Sequence, residues 1–146
     1  MAAWSERDPD WVDAMLDWRG TWLLARIGLT GAYFIGGVTK LADFSAAVAE
    51  QAHFGLQPAW LWAGAAIFLE LVAPILIVTG RWVWLASGAL GVLTVIASIV
   101  ANDFWNLAGT ARFAAMNSFF EHLGLVAGLV MAAVIAEHAK RREWRL

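Results

Sequence analysis

The sequence predicts an all-α fold, a four-helix bundle that crosses a membrane. The chain of 146 residues contains long apolar runs at 21–38, 59–79, 83–101 and 119–136. Each run is close to the roughly 20 residues that a helix needs to cross a hydrocarbon core of about 30 Å. The apolar residues are continuous rather than alternating, which excludes a transmembrane β-barrel.

The composition supports the same fold class. Hydrophobic residues make up 61% of the chain, against about 45–50% in soluble domains. Four spans and their connections occupy nearly all of the chain, so we expect one membrane domain, residues 21–137. It is flanked by an N-terminal segment, residues 1–20, and a basic tail, residues 138–146. No separate soluble catalytic domain fits.

The N-terminal segment contains the signals of a short amphipathic helix over residues 9–19. Asp8 can cap it and Pro9 suits the first helical position. Trp11, Met15 and Trp18 then recur at helical spacing. We expect this helix to lie in the membrane interface, either as an anchor or as a docking face for a partner.

The two outer connections, which lie on the side of the bundle away from both termini, are long. The first, residues 41–58, favours a helix because Asp43 can cap it, alanines follow, and Gly55 can end it. The second, residues 102–118, reads as a polar and aromatic loop, with Asn117 or Ser118 as the cap of the fourth span.

Lys and Arg predict the orientation of the bundle. Most of them fall on the side that holds both termini: Arg7, Arg19, Arg81, Lys140, Arg141, Arg142 and Arg145. Only Lys40 and Arg112 fall on the other side. We therefore expect both termini in the cytoplasm.

Other totals exclude classes of function. The chain has no cysteine, which removes disulfide exchange, thiolate metal sites, iron–sulfur clusters and covalently attached haem. A redox role must then use a bound cofactor, a quinone or a partner protein. The net charge is −2 and no basic surface is sustained, so a nucleic-acid partner is not expected.

Glu70 is the costliest residue of the apolar runs, because it lies about midway along the second one. An acidic group at that depth costs at least about 2.5–3.5 kcal/mol, so we expect it to face the bundle and to be paired or protonated. Pro74 follows four residues later and deprives the Glu70 carbonyl of its helical donor. Arg26 is the predicted partner. This pair is either an interhelical clamp or part of a quinone, proton or small-ligand site.

A second set of polar residues is predicted to gather at the outer side: Lys40, His53, Asp103, Arg112, Glu121 and His122. A metal site built from both histidines with Asp103 and Glu121 is an alternative. No His-x-x-x-His spacing supports it, so we expect no metal and instead hydrogen bonds to the outer loops.

Several short motifs resemble those of DoxX-like membrane proteins over about residues 20–136. They are Leu24-Ala25-Arg26, Gly37-Val38-Thr39-Lys40, Glu70-Leu71 running to Gly80, and Asp103-Phe104-Trp105. Relatives often carry Lys-Asn near the start of the fourth span, where this chain has Glu121-His122. The resemblance implies a four-helix bundle in a bacterial inner membrane and an association with redox enzymes, including thiosulfate:quinone oxidoreduction.

These observations lead to one principal hypothesis of function and two alternatives. The principal one is an accessory or anchoring subunit of a respiratory or redox complex, with a quinone pocket around Arg26 and Glu70. Its partners would be the lipid bilayer and oxidoreductase subunits, and a homo-oligomer is also compatible. The alternatives are a stand-alone transporter of protons or small molecules, and a quinone-linked enzyme. The sequence contains no self-contained catalytic motif.

Overall fold

The computed structural model of the chain describes residues 9–143, with side chains as far as residue 141, and this part contains helices and no strand. Its helices are α1 (Asp10–Asp17), α2 (Arg19–Ala42), α3 (Phe44–His53), α4 (Ala59–Thr79), α5 (Val83–Ala101), a short 3-10 helix (Phe104–Asn106) and α6 (Gly109–Glu143). The predicted cap Asp8 and the ends of both termini lie outside the described residues.

The long helices pack in the order α2, α4, α5, α6, and a weaker contact joins α6 back to α2. α4 and α5 occupy the same residues as the second and third apolar runs. The tight turn between them uses left-handed backbone at Gly80 and Trp82, with φ of 75° and 50°. These two helices are therefore antiparallel neighbours.

Three helices, α4, α5 and α6, are long and apolar enough to cross a membrane. α2 has 24 residues and is long enough as well. It is less apolar because Arg26, Lys40 and several glycines and threonines interrupt its leucines and isoleucines. The presence of a fourth span remains a prediction.

Small residues bring the helices close together. The main core cluster consists of Ala73, Ile77, Val83, Ala86, Leu90 and Leu129. Membrane helices gain little from the hydrophobic effect once inserted, so close van der Waals contact through Ala and Gly replaces it. Large apolar side chains instead point outward along every long helix, as expected for surfaces that face lipid.

The predicted helix in the first outer connection is confirmed. α3 begins after Asp43, whose carboxylate accepts hydrogen bonds from the Ala46 N–H at 3.0 Å and the Ser45 hydroxyl at 2.8 Å. These bonds hold the pKa of the Asp43 carboxyl below its usual value. Ala47 packs on Ala63 and Ile67 of α4, so α3 lies against the bundle rather than apart from it.

The second outer connection differs from the prediction. Residues 109–118 belong to α6, so Arg112 lies on a helix and neither Asn117 nor Ser118 is a cap. The alanines and Met116 of this stretch favour helix, and no proline interrupts them. α6 also continues past the fourth apolar run, and the tail is helical as far as Glu143.

The predicted short N-terminal helix is present as α1. It buries none of its residues, and Trp11 and Trp18 are 69% and 61% exposed. Its aromatic side chains are therefore available to lipid or to a partner. Its location in the membrane interface remains a prediction.

Gly37 offers a test of the contact between α2 and α4. A Cβ at Gly37 would lie 3.0 Å from Glu70 Cβ and from the Leu71 side chain, whereas one at Gly31 would meet nothing within 4 Å. We expect Gly37→Ala to be about 1 kcal/mol less stable than Gly31→Ala, and Gly37→Leu to cost about 1–3 kcal/mol. Thermal unfolding in detergent measures this. Equal stability of both alanine variants would contradict the close approach.

A buried ion pair and an apolar cavity

A pair of glycines in α2 makes room for the carboxyl group of Glu70. Gly36 lies closest to the carboxyl group, since a Cβ there would be 3.4 Å from Glu70 Oε2. Gly37 lies against the Cβ of Glu70. A Cβ at Gly37 would crowd Glu70 and Leu71, whereas one at Gly36 would make only ordinary contact. Gly37 therefore sets how closely α2 and α4 approach.

Lys40 is the partner of Glu70. Its Nζ lies 2.6 Å from Glu70 Oε1, and the two side chains are 26% and 10% exposed. Lys40 belongs to the last turn of α2. Helical side chains point toward the N-terminus of their helix, so the Lys40 side chain extends back along α2 toward Gly36 and the level of Glu70.

The predicted pair between Arg26 and Glu70 is wrong. The Arg26 guanidinium lies beside Gly80, with Nη1 3.2 Å from the place that a Cβ there would take. Arg26 precedes Gly37 by three helical turns, about 16 Å along the axis. Its side chain also points toward the start of α2, away from Glu70. Arg26 and Glu70 therefore do not meet, although their depths in the predicted spans suggested that they would.

Glu70 keeps one oxygen without a partner. Among the residues whose side chains are described, nothing donates a hydrogen bond to its buried Oε2. An unsatisfied buried acceptor costs about 1–3 kcal/mol. Pro74, also buried, has no N–H to give the Glu70 carbonyl one turn before it. Glu70 therefore presents unused hydrogen-bonding capacity inside the bundle.

This ion pair lines an apolar cavity of about 260 Å³. It lies between α3, α4 and α5. Besides Lys40 and Glu70, polar atoms come from Glu50 and Gln51 on α3. Its remaining wall is apolar and includes Phe54, Leu56, Trp62, Leu69, Val92, Leu93, Ile96 and Val100. A long apolar molecule with one polar end matches this arrangement.

A second polar contact crosses the bundle from the face of α2 that also carries Gly37 and Lys40. The Tyr33 hydroxyl lies 2.7 Å from Thr94 Oγ1 of α5, and the Thr94 hydroxyl also lies 2.7 Å from the Leu90 carbonyl. Sequence reasoning missed this contact. The available signal was the spacing of Ser87, Thr94 and Ser98, which places small polar side chains on the buried face of α5.

The predicted outer polar cluster does not form one site. Lys40 turns inward to Glu70, and His122 Nδ1 lies 3.1 Å from the side-chain nitrogen of Asn102. Asp103 accepts a hydrogen bond from the Asn106 side chain at 3.2 Å. The rest are separate: His53 packs edge-on against Phe54, and Arg112 and Glu121 are exposed on α6.

The alternative of a metal site finds no support in this geometry. Within the described part of the chain, no three His, Asp or Glu side chains lie close enough together to hold a metal ion. Of the predicted cluster, only Asp103 makes a local side-chain hydrogen bond, to Asn106, while His122 bonds Asn102 at the end of α5.

Comparisons with known proteins relate the chain to one family. The DoxX family model matches residues 21–103, which include the glycine pair, both members of the ion pair and the cavity between α3, α4 and α5. The chain is also similar to the inner membrane protein YphA of Escherichia coli (strain K12). The two are 25% identical over 112 residues, which cover 77% of this chain and 80% of YphA. No solved structure matches.

A double-mutant cycle tests the ion pair. Removing one partner leaves an uncompensated charge, so we expect Lys40→Met or Glu70→Gln to lower the free energy of unfolding by up to about 3–5 kcal/mol, and the double variant by less than the sum. Arg26→Met is the control and should be additive with Glu70→Gln. Unfolding in a denaturing detergent gives the values. Coupling of Glu70 to Arg26 instead of Lys40 would overturn the assignment.

Proposed function

The chain belongs to the DoxX family, and from this we propose that it is an inner-membrane subunit of a respiratory or redox complex that binds a quinone. One observation carries the proposal: the Lys40–Glu70 pair lines an apolar cavity inside the bundle. Two further points support it. The family resemblance implies an association with redox enzymes, and the chain is similar to an inner membrane protein.

The lining of the cavity provides partners for both parts of a quinone, its ring and its tail. A quinone ring has carbonyl oxygens when oxidised and hydroxyl groups when reduced. The Lys40 ammonium can donate to a carbonyl oxygen, and the Glu70 carboxylate can accept from a hydroxyl group. The apolar walls on α4 and α5 suit an isoprenoid tail. The Glu70 carboxyl group can also exchange the proton that accompanies reduction with the quinone ring oxygen.

Electrons would come from a partner. The chain has no cysteine and no cofactor motif, so we assign catalysis to an associated oxidoreductase and ligand positioning to this subunit. Two exposed surfaces can dock that partner. One is α1 with Trp11 and Met15, and the other is the outer face of α6.

Proton or small-molecule transport is a second candidate. It is favoured by the unpartnered Glu70 Oε2 and by the Tyr33–Thr94 contact across the bundle. A transport path through only four spans would need an oligomer. A dye-based pH measurement in proteoliposomes distinguishes it, because a subunit that only holds a quinone moves no protons alone.

Both termini are proposed to face the cytoplasm, with four spans formed by α2, α4, α5 and α6. The excess of Lys and Arg at the end that carries Arg26, Arg81 and Lys140 supports this orientation. We expect a C-terminal green fluorescent protein fusion to be bright and a C-terminal alkaline phosphatase fusion to be inactive. The reverse pattern would contradict the orientation, and a fusion in the loop 54–58 provides the opposite control.

The proposed function is tested by purifying the tagged protein in mild detergent. We expect extracted quinone and an oxidoreductase in near-equal amount, both measured by mass spectrometry. Glu70→Gln and Lys40→Gln should each lower the quinone about tenfold, the effect of losing one charge-assisted hydrogen bond.

Glu121→Gln provides the matched control for this experiment. Glu121 is exposed on α6 and does not line the cavity, so its quinone content should equal that of the wild type. A protein that comes out alone and without quinone would refute the proposal. Equal quinone content in the Glu70 and Glu121 variants would show that the quinone does not bind in this cavity.

A further inference from the structure

A second cavity lies at the opposite end of the bundle from α3. It has a volume of about 280 Å³ and is mostly polar. It lies beside the α4–α5 turn and the last turns of α6. Its wall includes Arg26, Gly80, Trp82, Trp84, Glu137 and Lys140. None of these residues takes part in the cavity at Lys40 and Glu70.

The charges in this cavity favour an anion. Among the side chains described, residues 9–141, two ion pairs form: Lys40 with Glu70, and Arg141 with Glu137 at 3.4 Å. The one carboxylate on the wall, Glu137, is thus taken by Arg141, while Arg26 and Lys140 contact no carboxylate of the described part. Both cations therefore remain available to a phosphate group.

An apolar groove continues from this cavity along α5 and α6. The two share Trp84, and the groove has a volume of about 460 Å³. It extends from Trp84 to Ile96 on α5, about 18 Å at helical rise. Gly88 and Gly91 form its floor, and a Cβ at either would meet nothing within 4 Å. The groove is open and runs along α5 from the end that carries Trp84 past the middle of the helix.

We propose that this cavity and groove together bind one anionic phospholipid, with its phosphate at Arg26 and Lys140 and an acyl chain in the groove. The combination selects a lipid over a free anion, because a phosphate ion would use only the polar cavity. Trp82 and Trp84 line the polar cavity and Trp84 also lines the groove, so the glycerol backbone would pass beside indoles, which are enriched at membrane interfaces.

Native mass spectrometry of the full-length protein in detergent tests the site. The probes are dioleoylphosphatidylglycerol, dioleoylphosphatidylcholine and glycerol 3-phosphate. We expect the anionic lipid to be retained about 25-fold better than the zwitterionic one, the effect of about two basic contacts. Arg26→Gln and Lys140→Gln should each lower this preference about fivefold, and glycerol 3-phosphate should neither bind nor compete.

Matched variants separate this site from general electrostatics and from loss of folding. Arg81→Gln removes an exposed cation at the same end that does not line the cavity, and should keep the preference. Arg26→Lys keeps the charge and should keep most of it. Gly91→Leu fills the groove and should weaken retention of both lipids about tenfold. Circular dichroism verifies the helix content of each variant.

Three outcomes would overturn the proposal. Equal losses in the Arg81 and Arg26 variants would assign the preference to surface charge alone. Competition by glycerol 3-phosphate would make the site an anion site without a lipid. A dimer whose mass excludes bound lipid, and which Gly91→Leu dissociates, would show that a second copy of the chain fills the groove.

Discussion

The contact of Lys40 with Glu70 across Gly36 and Gly37 organises the half of the bundle that contains α3. A carboxylate near the middle of a membrane is stable only beside a cation, and α2 supplies one from its last turn. The approach that this requires is possible because two glycines leave the α2 surface flat. Buried ion pairs add little net stability compared with apolar residues. The net contribution of the pair to folding is therefore small, and the quinone site proposed above would give it a further role.

The cavity follows from the same constraint. α3 folds back over α4 through Ala47, so the space beside the ion pair is covered on its outer side by an amphipathic helix. α4 and α5 supply walls of modest, mostly aliphatic side chains. The few polar side chains of the wall, Lys40, Glu50, Gln51 and Glu70, are set among apolar ones, so they would orient a bound molecule.

Much of this structure could be predicted from the sequence, and the errors have physical causes. The continuous apolar runs predicted the exact bounds of α4 and α5, and Asp43 predicted the start of α3. Both predictions succeeded because both signals are local. The depth of Glu70 also identified it as exceptional. The partner of Glu70 could not be found from depth alone, because the direction in which Lys40 and Arg26 extend depends on the tilt of side chains toward the helix start. The Gly-x-x-Lys motif that ends at Lys40 and the Glu-Leu motif that begins at Glu70 are each weak signals alone. In the structure they contact each other.

The length of α6 has a mechanical consequence. Its 35 residues make a rod of about 52 Å, longer than a bilayer with its headgroups, which is about 40–45 Å thick. Such a rod must tilt or protrude. Phe119, about a third of the way along α6, packs edge-on against Phe104 and Trp105, and the far end carries Lys140 and Arg141. Because the helix is continuous, the packing of Phe119 also helps to fix where these two basic residues lie.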